Sequence, residues 1–128
     1  MLDGKYLEIQ VCKALRTQGL SAVKAPEYLD KQHGTDLLVN GLYVGVTCSP
    51  TKDKVVKDFE KAAKVTQSYV ELYFDATFLT EESIEAACLQ AAEALLFLQD
   101  KKGFYLVTLD NGKRAKLDYT LQRRMSRA

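Results

Sequence analysis

Asn40-Gly41 sits between two apolar runs, residues 36–39 and 42–48, and no other feature restricts the fold as strongly. A two-residue type I′ turn needs positive φ at both central positions, which Asn and Gly tolerate and most residues do not. The two runs should therefore pair as an antiparallel hairpin. Leu37-Leu38-Val39 is apolar without interruption, as expected of a strand covered on both faces.

The elements around the hairpin follow from periodicity and caps. Residues 3–18 predict a helix, with Leu7, Val11, Ala14 and Leu15 on one stripe and Gly19 placed to end it. Residues 21–25 read as extended, closed by Pro26. Residues 27–34 are polar and turn-like. Ser49 is the expected N-cap of a helix running from Pro50 to about residue 66, whose apolar face is Val55, Val56, Phe59, Ala62 and Ala63.

In residues 68–76, Val70, Leu72 and Phe74 alternate with Tyr69, Glu71, Tyr73 and Asp75, which predicts a half-exposed strand. Thr80 caps a helix over 81–99, and Asp110-Asn111-Gly112 joins a final hairpin of 104–109 with 113–119. The expectation is one α/β domain spanning residues 1–128, in the order α-β-β-β-α-β-α-β-β. Its central mixed sheet is flanked by helices, because the hairpin is followed by a helical crossover.

Composition limits function only loosely. A chain of 128 residues can bury a core unaided. A net charge of +1 gives no bulk attraction to nucleic acid or membrane, so phosphate affinity must come from local clusters. Cys12, Cys48 and Cys88 are far apart and His33 is the single histidine, a pattern of reduced thiols rather than a zinc site. The first residues lack a secretory pattern, and the most apolar segment, 91–98, is interrupted by Glu93 and too short to span a bilayer. A cytoplasmic protein without a membrane partner is expected.

Glu8 on the first helix, Gly34-Thr35-Asp36 opening a strand, the hairpin, and then a lysine-rich helix form an ordered set. This order resembles the core of the PD-(D/E)XK nuclease-like (restriction-endonuclease-like) superfamily, over residues 4–76, with the C-terminal helix, hairpin and basic tail occupying 80–128. The resemblance implies Mg²⁺ held by Asp36 and a glutamate on the second hairpin strand, a lysine two residues later that orients water, and Glu8 joining in. Here Gly45 stands where the glutamate is expected and Thr47 where the lysine is, inside an intact Val44-x-Val46 frame. Asp36 is thus the one metal ligand carried over directly. Asp53, Asp58 or Glu60 could supply a displaced carboxylate, and Lys52 or Lys54 a displaced cation. Each carried-over acid also has a structural alternative: Asp36 as a turn-capping group, Glu8 as a helix-face partner of Lys5 or Lys13.

Lys54, Lys57, Lys61 and Lys64 share one side of the second helix and are candidate phosphate contacts, together with Arg114, Arg123 and Arg124. Asp53 and Glu60 precede Lys57 and Lys64 by four residues, so a solvated, ion-paired face is the alternative. Tyr69 and Tyr73 could stack bases. The helix over 81–99 carries Ala86, Leu89, Ala94, Leu96 and Phe97 off its main apolar stripe, and so predicts cover by a partner subunit, a second copy, or the C-terminal hairpin.

The function these features predict is a nuclease-fold domain with a degenerate metal site, acting in DNA binding or as an accessory subunit of a DNA-processing system. A phage, plasmid or other mobile-element setting is suggested only by the short, isolated domain. Two alternatives stand beside it: an active Mg²⁺-dependent DNA endonuclease with a rearranged site, and a homo-oligomeric interaction module without a nucleic-acid role.

Overall fold

A computed structural model describes residues 3–110 and 116–118. Asp3 accepts the Tyr6 backbone N–H at 2.8 Å and so caps helix α1 (Gly4–Thr17), which buries Leu7, Val11, Cys12 and Leu15. Strand β1 (Ala22–Lys24) follows. Residues 27–33, expected to be a turn, instead form a short helix α2 (Glu27–His33). Pro26 precedes its first turn, Glu27 and Lys31 pair across one turn, and Leu29 alone is buried. A two-turn helix with one buried residue leaves no periodic signal.

Strands β2 (Leu37–Val39) and β3 (Leu42–Ser49) form the expected hairpin, with φ of 49° at Asn40 and 84° at Gly41. Helix α3 (Val55–Ala63) begins five residues later than Pro50. Ser49 ends β3, and its hydroxyl accepts the Thr51 N–H at 3.2 Å, so it closes a local turn instead of capping the helix. Strand β4 (Ser68–Asp75) leads to a 3-10 turn (Glu81–Ser83) with a Thr80–Ser83 capping box. Helix α4 (Ile84–Leu98), strand β5 (Gly103–Leu109) and the short strand β6 (Lys116–Asp118) complete the order.

The strands form one mixed sheet in the order β1-β2-β3-β4-β5-β6. The β1–β2 and β2–β3 pairs are antiparallel, β3, β4 and β5 run parallel, and β6 returns antiparallel beside β5. Helices α1 and α4 pack together on one face over Val44, Val70, Leu72, Phe74, Val107 and Leu109. On the other face α3 sets Val55, Phe59 and Ala62 over Tyr69, Tyr73, Phe104 and Leu106. The domain is therefore α/β, with helices on both sides of the sheet.

That second layer overturns one expectation. Strand β4 lies between two parallel neighbours with α3 above it, so its alternate residues Tyr69, Glu71 and Tyr73 are interior, not solvent-facing. Neither tyrosine can stack a base: each donates its hydroxyl to backbone, Tyr69 to Gly34 O at 2.9 Å and Tyr73 to Ser49 O at 2.8 Å. Alternation reported two chemically different faces, but not what covered them.

On α4 the outward positions Leu89, Leu96 and Phe97 are 39%, 48% and 59% exposed, so the described elements leave them uncovered. Cys12, Cys48 and Cys88 are free thiols. Among the described residues no helix is long and apolar enough to cross a membrane.

Candidate functional site

The β3–β4 register sets Gly45 beside Glu71 and Thr47 beside Tyr73, all on the face beneath α3. Glu71 has no solvent exposure. Its two carboxyl oxygens are in hydrogen-bond contact with the Tyr69 and Thr47 hydroxyls, whose single protons are shared with Gly34 O and with Asp58 Oδ2 (3.5 Å) respectively. A chain of oxygens thus runs from the Gly34 carbonyl through Tyr69, Glu71 and Thr47 to Asp58 on α3.

Gly45 is what makes room for this chain. A Cβ there would lie well inside contact distance of the Tyr69 hydroxyl, 2.6 Å from Glu71 Oε1 and 2.8 Å from Gly34 O. A glycine inside an apolar strand marks such a close approach. The place that a glutamate on β3 would take is occupied by the glutamate of the neighbouring strand.

Asp36 stands just before β2, and its Oδ2 accepts the Val46 backbone N–H at 2.6 Å. It lines a cleft of about 420 Å³ with Asp30 of α2, Thr47 and Cys48 of β3, Asp58 of α3, and Lys54 and Lys61. Burial pushes the Asp36 carboxyl up to about 8; the Val46 N–H opposes this, while Glu8 and the adjacent, hydrogen-bonded Asp30 add to it. Burial likewise holds Glu71 well above the usual carboxylate range, with the Asp58 charge adding and the Thr47 and Tyr69 hydrogen bonds opposing. Asp58 is raised by burial against the pull of Lys61 and Lys54. Clustered carboxyls out of water hold protons because ionising them all is costly.

The predicted site residues divide accordingly. Asp36, Asp58, Lys54 and Lys61 meet in the cleft. Glu8 lies outside it, in an adjoining groove with Lys5 and Lys24, and burial followed by the Asp30 charge raises its carboxyl. The proposed displaced partners Asp53 and Glu60 are exposed and do not line the cleft. Asp53 accepts the Thr51 hydroxyl at 3.1 Å, and Lys52 lies 5.6 Å from the Tyr73 ring centre. Lys57 and Lys64 are exposed and do not line the cleft. Arg114, Arg123 and Arg124 lie outside the described residues.

Sequence reasoning missed Glu71 and Asp30, and read Tyr69 as a base-stacking residue instead of a member of this network. The available signal was Gly45 itself, an interior strand glycine matched by an acid in the next strand.

The donor set does not fit Mg²⁺ as it is arranged. Asp36 is tied to Val46 and Asp30, and both oxygens of Glu71 are engaged. Among the described residues, no group of three or more His, Cys, Asp or Glu side chains is positioned to hold a metal ion. Thr47 offers a hydroxyl where an ammonium would be needed to stabilise developing charge. The arrangement can store and share protons, and it presents two lysines at its rim. Compared with protein-family models, curated proteins and solved structures, the chain matches none of them.

Proposed function

We propose that this chain is a nucleic-acid-binding domain of the nuclease-like α/β fold, in which a buried proton-sharing acid cluster replaces the metal site. The order α1, β1, hairpin β2–β3, basic α3, parallel β4 supports the fold reading, as does Asp36 at the head of β2. The observation that carries the loss of catalysis is the space beside Gly45, filled by Tyr69 and Glu71 and leaving no room for a β3 carboxylate. Nucleic-acid binding draws its support from Lys54 and Lys61 on the cleft and from the exposed Lys57 and Lys64 on the same helix.

Binding of a 20-base-pair duplex should fall steeply with salt. Changing Lys54 and Lys61 together to Gln should reduce the log–log salt slope by roughly 2, at about 0.9 per lost phosphate contact. Plasmid DNA incubated at high protein concentration with Mg²⁺ or Mn²⁺ should stay intact. Nicking that disappears in Asp36→Ala would replace this reading with that of an active endonuclease.

A second reading, self-association through α4, is favoured by exposed Leu89, Leu96 and Phe97. The helix has acids at its start (Glu81, Glu82, Glu85) and Lys101-Lys102 after its end, so an antiparallel pair of copies matches opposite charges. Sedimentation velocity should then give a dimer that Leu96→Lys dissociates; a monomer at about 100 μM removes this reading.

A further inference from the structure

A second charged surface adjoins the acid cleft. Lys5, Lys13 and Arg16 of α1 and Lys24 of β1 line a groove of about 330 Å³ together with Ile9, Cys12 and Leu37, with Glu8 as its one acid. All four cations are exposed. In a chain of net charge +1, four cations against one acid in a single groove is a local concentration of charge.

This differs from the alternating pattern of a solvated helix face, because the cations come from two elements that the fold brings together. Arg16 is also held in place: its Nε and Nη2 both donate to Ala22 O, at 3.2 and 2.9 Å. That leaves further N–H groups of the planar guanidinium for an anion such as phosphate. The two surfaces adjoin at the start of α1, where Gly4 lines the cleft and Lys5 the groove, and Glu8 of the groove lies near enough to Asp30 and Asp36 of the cleft for their charges to act on one another. Lys54 and Lys61 stand on the cleft, and the α1/β1 cations lie on the groove beyond it.

We infer that the α1/β1 groove is a second phosphodiester-binding subsite, so that one nucleic-acid strand crosses the acid cleft with phosphates held on Lys54 and Lys61 at one side and on Lys13, Arg16 and Lys24 at the other. The inference rests on the nucleic-acid reading above and extends it. The acids between the two cation groups supply no positive charge to hold a phosphate, so the strand presents sugars or bases to the cleft.

The experiment compares anisotropy titrations of 20-mer duplex and single-stranded DNA with wild type, Lys13→Gln/Lys24→Gln and Lys101→Gln/Lys102→Gln. The last pair follows α4 and precedes β5, at the opposite end of the parallel strands from the cleft. The expected result is binding weakened about tenfold or more at 0.1 M salt by the groove pair, with a salt slope lower by roughly 2 on duplex or 1.4 on single strands. The control pair should stay near wild type. A slope lost on only one probe identifies the strand form the groove takes.

Lys24→Glu should weaken binding further, with an unchanged circular dichroism spectrum showing that the fold is intact. If wild type binds and the groove pair matches the control, the subsite is refuted while the nucleic-acid reading stands. If wild type binds neither probe at 50 mM salt, both fall.

Discussion

Gly45→Glu, the change that writes the expected acid back onto β3, should cripple the fold instead of restoring cleavage. Even Gly45→Ala should lower stability by about 3 kcal/mol, at the upper end of overpacking costs, and the melting temperature by roughly 10 °C. A methyl group at position 45 meets the Tyr69 hydroxyl, Glu71 Oε1 and the Gly34 carbonyl at once. The last is backbone, and the first two are the ends of fully buried side chains.

The effect should also be coupled. Adding Tyr69→Phe to Gly45→Ala removes the nearest obstructing atom, so the double variant should recover part of the loss and depart from additivity by more than about 0.5 kcal/mol. Calorimetric melting of the three variants checks this. A Gly45→Ala protein melting within about 2 °C of wild type would mean the site is loosely packed. The glycine could then not explain the missing carboxylate.

Stability should fall as pH rises from 5 to 8. Asp36 keeps its proton to about 8 when folded, against an ordinary value of 3.8. Between those limits the folded chain binds one more proton than the unfolded chain, so each step up in pH favours unfolding. The stabilisation is complete below pH about 4 and lost as pH climbs toward the folded value, at no more than about 1.4 kcal/mol per pH unit for one group. Glu71 and Asp58 are shifted the same way, by burial, and add to the trend.

Asp36→Asn and Glu71→Gln keep the shape of each side chain without its titration. Each should flatten the melting profile over this range; in Glu71→Gln the amide oxygen accepts one of the two hydroxyls and the NH2 donates to the other, so both contacts are kept with one reversed in direction. A wild-type profile level from pH 5 to 8, or an Asp36→Asn profile as steep as wild type, would contradict the proton-sharing cluster. The same experiment separates the cluster from an ordinary surface group, since an exposed carboxylate pairing with Lys54 or Lys61 would lose stability on acidification.

Local chemistry determined much of this protein from sequence alone. Asn40-Gly41 fixed a hairpin because few residues accept its backbone angles, Thr80 marked the start of a helical segment that opens as a 3-10 turn, and the Leu7–Val11–Leu15 spacing marked a buried face. Asp36, Asp58, Lys54 and Lys61 could be named because each belongs to a recognisable element next to that hairpin. What only the tertiary structure decided is which neighbours those elements acquired. Strand β4 became central and α3 closed over its polar side, turning Tyr69, Glu71 and Tyr73 from apparent surface residues into an interior network. Periodicity records only that two faces differ; burial depends on contacts between residues far apart in the chain, such as Gly45 with Glu71 and Gly34 with Tyr69. The short α2, with Asp30 brought to Asp36, is decided the same way, since one buried leucine holds it in place.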